Sequence, residues 1–408
     1  MAGAQSFTAD RIADVLPRGS VLVGGCSGGS ALLAEAVMAA GKAIGAVTFT
    51  GIVVPGLNRA TWLANDQSRF ETFFMTPELK AAGDRVRFLP LPYTDILARW
   101  RREPPDAALF SVTPPDADGL CSFGPTVDFL SELWPLIPHR IALVNPLLPR
   151  THGPTGIPID AIDAVLEAPE PLPTLADNGS DPITTAIAAR VAAHVPNGAT
   201  LQTGIGKLPG AVLAALRGHR NLRIHSGLIG DAVLDLVEGG AIAQDDHVVT
   251  GVAIGSDRLY AALPERGFQF RPVSHTHAPA VLAAIPGLLT INSALSVDLF
   301  GQAYAEVGPR GWLSGTGGAT DFARGARAAG GLRIVALPSS AKGASRIGAA
   351  AGPVTLGRMD TDVIITEHGA ADLRGLDHDE RAAALIAVAA PEHRDVLARA
   401  WRDGPGTY

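Results

Sequence analysis

Short apolar runs alternate with stretches of helical period along the first 150 positions. SVLVGG (20–25) precedes SALLAEAVMAA (30–40) and AVTFTGIVV (46–54), and AALFSV (107–112), DFLSELWPLI (128–137) and RIALVN (140–145) follow. This alternation predicts an α/β fold with a mainly parallel sheet covered by helices. The segment APEPLPTLADNGSDP (168–182) has neither period and is rich in Pro, Asp and Gly, so a domain boundary is expected there, between domains at 1–170 and 183–408. The pattern then restarts. GATLQTGIGKLPGAVLAAL from Gly198 lies over GSVLVGGCSGGSALLAEAV from Gly19, a shift of 179 residues, with strand, glycine turn and amphipathic helix coinciding. Two copies of one domain would produce this match, and so would two ordinary strand–turn–helix units. NLRIHSGLIGDAVLDLVEGG (221–240) reads as a strand that stops on His225-Ser226-Gly227, followed by a helix.

A chain of 408 residues exceeds what one core usually serves, which agrees with two domains. Its 47% hydrophobic and 18% charged residues argue against global disorder. The 33 basic and 40 acidic residues leave a formal charge of -7, with no polybasic footprint for nucleic acid, so small molecules are the expected partners. Cys26 and Cys121 follow no metal or redox spacing and read as free thiols in a reducing compartment. MAGAQSFTADRIADVLPRG lacks the basic segment and apolar run of a secretory signal, and the apolar stretch AIGAVTFTGIVVPGL is short and broken by Gly and Pro. A soluble cytoplasmic protein without membrane spans is expected.

Two glycine turns could carry chemistry. TGIGKLPG (203–210) follows a strand and opens a helix, so its backbone N–H groups can face an anion or a carbonyl oxygen. A dinucleotide fingerprint fails here, because Pro209 takes the third glycine position and the next strand ends in His225-Ser226-Gly227 with no acid for a ribose. Simple helix–strand packing is the alternative. WLSGTGGATDFARGA (312–326) is glycine-rich ahead of a helix beginning near Thr320 or Asp321, and consecutive N–H groups in such a turn stabilise an oxyanion, unless the glycines serve only a tight turn. Upstream, TINSALSVDLFGQAYAEVG (290–308) alternates like paired strands, with Asn292 at the end of an apolar run. Of the four lysines, Lys207 and Lys342 fall in polar turns after strands, where a cation meets either a phosphate or solvent. His275 and His277, in SHTHAP, have a spacing open to a metal, but no third ligand can be assigned and a loop without metal is expected. Cys26 in the first glycine turn is either a thiol nucleophile or a small buried residue.

TLQTGIGKLP, INSALSVDLFGQ, SGTGGATDFARGA, SRI and TEHGAADLRG occur together and in this order, after SVTPPDADGLCSFG and NPLLPRTHG in the first half. Together they resemble the acetyl-CoA hydrolase/transferase family, which includes 4-hydroxybutyrate and acetate CoA-transferases. The resemblance implies two tandem α/β domains of the class I CoA-transferase type, a homo-oligomer, most simply a symmetric dimer, and coenzyme A as part of an acyl-CoA substrate with a carboxylate as possible second substrate. Carried over by position, Gly204, Ile205, Gly206, Lys207 and Leu208 would line CoA, with Asn292, Gly315, Gly317 and Gly318 nearby and Lys342 toward a CoA phosphate. No metal is implied. Such transferases use a glutamate that attacks the thioester, giving an acyl anhydride and then a glutamyl-CoA thioester. In the family pattern this glutamate follows a His-Thr pair, which corresponds here to His225-Ser226, and the next residue is Gly227. Asp231 and Glu367 match other acids of the family, and neither is an evident relocated nucleophile. His225 is then either a general base or a residue that holds the loop. Three readings follow: an acyl-CoA enzyme that uses water attack on a thioester or on a carbon–carbon bond of a CoA-linked substrate, a CoA-transferase that uses another carboxylate, and a noncatalytic CoA-binding protein.

Overall fold

The computed structural model describes residues 5–404, apart from 55–56, 59–61, 176–178, 180, 245–246, 310, 349 and 351. Two compact units emerge, one formed by Met1–Ala176 with Val248–Thr276 and the other by Asp177–His247 with His277–Tyr408. The chain therefore changes unit three times, once within the Pro-rich segment 168–182 and again on either side of 248–276.

The first unit holds an eight-stranded sheet in the order Gln5–Ser6, Ala164–Glu167, His139–Val144, Ala107–Val112, Gly19–Val23, Val47–Gly51, Arg69–Thr72 and Val86–Phe88. Every pair in it is parallel. All six residues of Ala107–Val112 are buried, as an apolar run covered on both faces requires. The Gly19–Val23 strand runs through a short turn into the helix Ala31–Ala40, whose N-terminus is closed by Glu170. That carboxylate accepts from Ser30 Oγ at 2.6 Å, Ala31 N at 2.6 Å and Leu32 N at 3.0 Å. A side chain of the unit itself thus occupies the anion site of this helix. The Pro-rich stretch that supplies Glu170 is tied down further on, where Tyr260 Oη donates to Pro173 O at 2.7 Å and Leu175 N donates to Gly255 O at 3.1 Å.

Cys26 lies in the turn at φ 51°, and it lines a cavity of about 40 Å³ with Gly24, Ile52, Phe110, Thr126 and Asp128. Burial, reinforced by the charge of Asp128, pushes its thiol well above the ordinary value. A thiol held protonated in this way is not a nucleophile. Asp128 is itself pushed up to about 7 by burial, against a 2.7 Å hydrogen bond from Phe129 N, with the charge of Glu132 adding to the rise. Between the ordinary carboxyl range and about pH 7 the folded chain keeps a proton that the unfolded chain has released. Stability therefore falls as pH rises through that window and is level above it. Asp128→Asn, which keeps the acceptor for Phe129, is expected to remove this loss and to exceed the wild type at pH 8 by up to roughly 4 kcal/mol. Urea unfolding at pH 5 and pH 8 measures it, and a difference between the two proteins that does not change with pH would contradict it.

The second unit has parallel strands in the order Arg223–Ile229, Thr200–Thr203, Leu289–Ser293, Arg333–Ala336 and Val363–Thr366, with Gly369–Asp372 antiparallel at the edge. The winding repeats that of the first unit. In each, the strand before the glycine turn (Gly19–Val23 or Thr200–Thr203) lies between the next long strand of the chain and one reached by a crossover, and later strands are added outward from the latter. Strand order thus reverses beside Thr200–Thr203, and in open α/β sheets the crevice at the carboxyl ends of such strands is where ligands bind. Among the described residues no helix is long and apolar enough to cross a membrane.

Candidate active site

The carboxyl ends of three neighbouring strands in the second unit gather most of the expected site residues. Thr200–Thr203 leads into Gly204, Ile205 and Gly206, and Lys207 and Leu208 begin the helix Lys207–Ala215. Gly206 caps that helix at φ 102°, a conformation that favours glycine. An added Cβ would meet nothing within 4 Å at Gly206, and only Pro209 Cγ at 3.9 Å at Gly204. Packing therefore does not account for these glycines, and the backbone is open to close approach by a ligand. Beneath the turn, the buried Gln202 Oε1 and Thr203 Oγ1 have no hydrogen-bond partner among the described residues.

On the crossover side, Thr203 pairs in register with Ile291, so Asn292 stands at the same end of the sheet, half-buried. Gly315, Gly317 and Gly318 form the turn into the helix Ala319–Ala328, with Gly318 at its N-cap. The helix starts one residue before the expected Thr320. Beside the turn lies a residue that pattern reading passed over. Glu306 is 2% exposed, its Oε1 accepts from Thr355 Oγ1 at 2.9 Å, and its buried Oε2 has no hydrogen-bond partner among the described residues. Burial raises its pKa above the ordinary carboxyl value.

Two lysines differ in placement. Lys207 Nζ contacts Asp181 Oδ2 at 2.7 Å, and this ion pair, with the Thr184 N–H, holds the Asp181 carboxyl well below its usual range. The lysine borders a groove of about 420 Å³ whose walls include Ala188, Ala189, Gly210, Ala211 and Ala214. Lys342 is exposed at the tip of the hairpin that joins Ser340–Ala341 to Ala344–Ser345, and its φ of 51° with Gly343 at 78° suits a two-residue turn. Glu367 follows the strand Val363–Thr366, two strands outward from Asn292, and is engaged locally: Ser339 N donates to it at 2.9 Å and Ser339 Oγ at 2.6 Å.

The third strand departs from expectation. Arg223–Ile229 does not stop on His225-Ser226-Gly227 but runs on to Ile229, and the helix Asp231–Glu238 begins after Gly230. Glycine after two polar residues looked like a strand end, whereas here it is a strand residue with no side chain. Asp231 is the first residue of that helix. Ser226 Oγ donates to Thr203 O at 2.7 Å, which fixes His225 and Gly227 beside the Gly204–Gly206 turn. His225 is 5% exposed, and its ring lies edge-on to Phe322 with centroids 6.5 Å apart.

His277 also belongs to this cluster. The helix Pro279–Ala283 packs on Ala319–Ala328 so closely that a Cβ on Gly325 would stand 2.4 Å from Leu282 Cβ. That contact carries His277, two residues before the helix, against Phe322 with ring centroids 4.7 Å apart. A Cβ at Gly227 would meet His277 Cε1 at 2.7 Å and Nε2 at 2.8 Å, and one at Gly318 would meet Nε2 at 2.5 Å. The imidazole is wedged between two glycines. Burial, with the charge of His225 adding, lowers its pKa to about 3, so the ring is neutral at any working pH. His275 lies in the helical turn Val273–Thr276, which belongs to the first unit.

With this geometry in view, the model of the acetyl-CoA hydrolase/transferase C-terminal domain matches residues 255–401. A 4-hydroxybutyrate coenzyme A transferase of Clostridium kluyveri is 37% identical over 331 residues, which span 77% of this chain and 76% of the relative. A succinyl-CoA:acetate/propanoyl-CoA:succinate CoA transferase of Fasciola hepatica is 33% identical over 78% of this chain and 70% of its own. Among solved structures, RipA from Yersinia pestis superposes with a TM-score of 0.90 at 28% identity, covering 98% of this chain and 97% of that one. Sheet winding, glycine turns and sequence agree, and the chain belongs to the acetyl-CoA hydrolase/transferase family, a family of enzymes that act on CoA substrates.

Proposed function

We propose that this protein binds acyl-CoA in the second unit and cleaves it by water attack, at the thioester or at a carbon–carbon bond of a CoA-linked substrate, without a covalent glutamyl-CoA intermediate. The observation that carries this reading is Gly227, within the strand beside the glycine turn, with a neutral imidazole filling the direction in which a side chain would extend. A carboxylate nucleophile accepts the acyl group and then carries CoA on its own carbonyl carbon. Neither glycine nor imidazole has a carbon that can do so. In thioester hydrolysis, water adds to the carbonyl as its proton passes to a base, the C–S bond breaks, and the thiolate takes the proton to leave as CoA. The N–H groups of the turn at Gly315, Gly317 and Gly318 are suited to the oxyanion, and His225 is the proposed base.

For CoA itself, the open backbone at Gly204 and Gly206, the Thr203 Oγ1 without a partner among the described residues, Asn292 across the crevice and the groove that runs from Lys207 along the helix Lys207–Ala215 support binding in this unit. Its volume of about 420 Å³ falls within the range of small-ligand pockets. Lys207 would exchange Asp181 for a phosphate, and Lys342 is exposed for a second. Lys207→Ala is expected to weaken CoA binding by about 1–3 kcal/mol, as for a charge-assisted contact. Calorimetry with CoA and dephospho-CoA measures this, and no binding of either at millimolar concentration would remove the reading.

A second reading has one observation in its favour. Glu306 is a buried carboxyl with a raised pKa and one oxygen without a hydrogen-bond partner among the described residues, and transfer through another carboxylate would start there. Incubation with a panel of acyl-CoA thioesters, with and without acetate, followed by mass spectrometry of every product, separates the possibilities. Water attack releases CoA at a rate indifferent to acetate. Acetyl-CoA formed only with acetate present would mean transfer, and no turnover of any thioester would mean binding alone.

A further inference from the structure

We propose that His277 and Gly227 form a matched pair that decides the type of reaction: the imidazole excludes a nucleophilic side chain from position 227. The proposal deepens the hydrolytic reading, on which it rests for the wild-type reaction. Its geometric part stands separately. Cε1 and Nε2 of His277 lie 2.7 and 2.8 Å from where a Cβ on Gly227 would be, closer than real Cβ contacts come. Such a contact is tolerable when the neighbour is the far end of a mobile side chain. His277 is not one. It is 2% exposed, tilted against Phe322 with ring centroids 4.7 Å apart, and set against Gly318 at an equivalent 2.5 Å. Moving the ring away from one glycine drives it toward the other or into Phe322.

The 227 backbone itself imposes no barrier, since its φ is not positive and the residue lies in a regular strand. The obstacle is therefore one side chain fifty positions further along. Removing that obstacle should open position 227 to a carboxylate, and the reaction should change with it. The carboxylate would attack the thioester carbonyl and expel CoA thiolate, leaving a mixed anhydride. The thiolate would then attack the carbonyl of the protein side chain, releasing the acyl carboxylate and leaving CoA bound as a thioester at position 227. An acceptor carboxylate would reverse both steps. His277 is in this sense a positioning residue, acting through the space it occupies.

The test compares Gly227→Glu with Gly227→Glu/His277→Ala, each checked for fold by circular dichroism and for CoA binding by calorimetry, then incubated with acetyl-CoA and propionate. The double variant is expected to show a CoA adduct on the peptide bearing position 227 and propionate-dependent CoA transfer at least 10-fold faster than the single variant. Equal transfer by the two variants would overturn the proposal, as would a folded, CoA-binding double variant without adduct. If Gly227→Glu alone fails to fold while the double variant folds, the exclusion is observed directly. Should neither fold, Gly227→Ala in wild-type and His277→Ala backgrounds decides: the Tm loss should shrink by at least half without the imidazole, and an unchanged loss refutes the pairing. Wild-type product analysis tests hydrolysis alone, so the two ideas can fail separately.

Discussion

His225→Ala is expected to lower turnover of an acyl-CoA substrate by about 10²–10⁴-fold, the range for loss of a positioned general base, while CoA affinity stays within twofold of the wild type. The expectation rests on position and on how the alternatives are engaged. Cys26 is a buried thiol held protonated in the first unit. Glu367 is occupied by the backbone N–H and hydroxyl of Ser339. His277 is neutral and wedged between glycines, its basicity removed by burial. His225 stands on the strand whose next residue bonds to Thr203 O, at the mouth of the Gly204–Gly206 turn. A residue that only held the loop would, when truncated, lower stability and CoA affinity together. Loss of kcat with unchanged affinity and unchanged Tm is what a base predicts, and unchanged turnover would end that role.

Gly227→Ala is expected to lower the unfolding free energy by about 1–3 kcal/mol, the usual range for overpacking. In an open strand the same change would be neutral or slightly stabilising, because glycine loses more chain entropy on folding than alanine. The sign is set here by the His277 ring under 3 Å from the new methyl. Gly318→Ala meets the same ring at 2.5 Å and should cost a similar amount. The double variant should lose more than the sum of the two, since a ring displaced from one methyl is driven toward the other. Urea unfolding of both single variants and the double variant measures this, and strict additivity would mean that the ring yields independently at each position.

Periodicity and glycine placement carried much of the architecture. The restart at Gly198 marked a second strand–turn–helix, and the matched winding of the two sheets accounts for why that stretch lies over Gly19–Val37. The difference between the two turns was not legible. Glu170, which fills the helix N-terminus of the first unit, sits in a Pro-rich stretch with no period, and nothing local indicates that its carboxylate reaches Ser30 and Ala31. The assignment of 248–276 to the first unit is equally nonlocal. Gly227 was legible as an absence. Why glycine is required there was hidden, because the group that fills the space lies beyond two intervening strands and three helices. His277 carried a signal, a histidine two residues before Pro279, but its spacing from His275 directed attention to metals instead of packing. Glu306 could have been noticed as an acid inside the alternating run AYAEVG, where an exposed charge would be out of place.

The central claim is that no enzyme-bound glutamyl thioester forms, and trapping tests it most directly. The protein is incubated with acetyl-CoA and propionyl-CoA, quenched with hydroxylamine or borohydride, digested and mapped by mass spectrometry. The account predicts free CoA and free acid with every glutamate peptide at its unmodified mass. A hydroxamate or reduced side chain on any glutamate, Glu306 and Glu367 included, would contradict it.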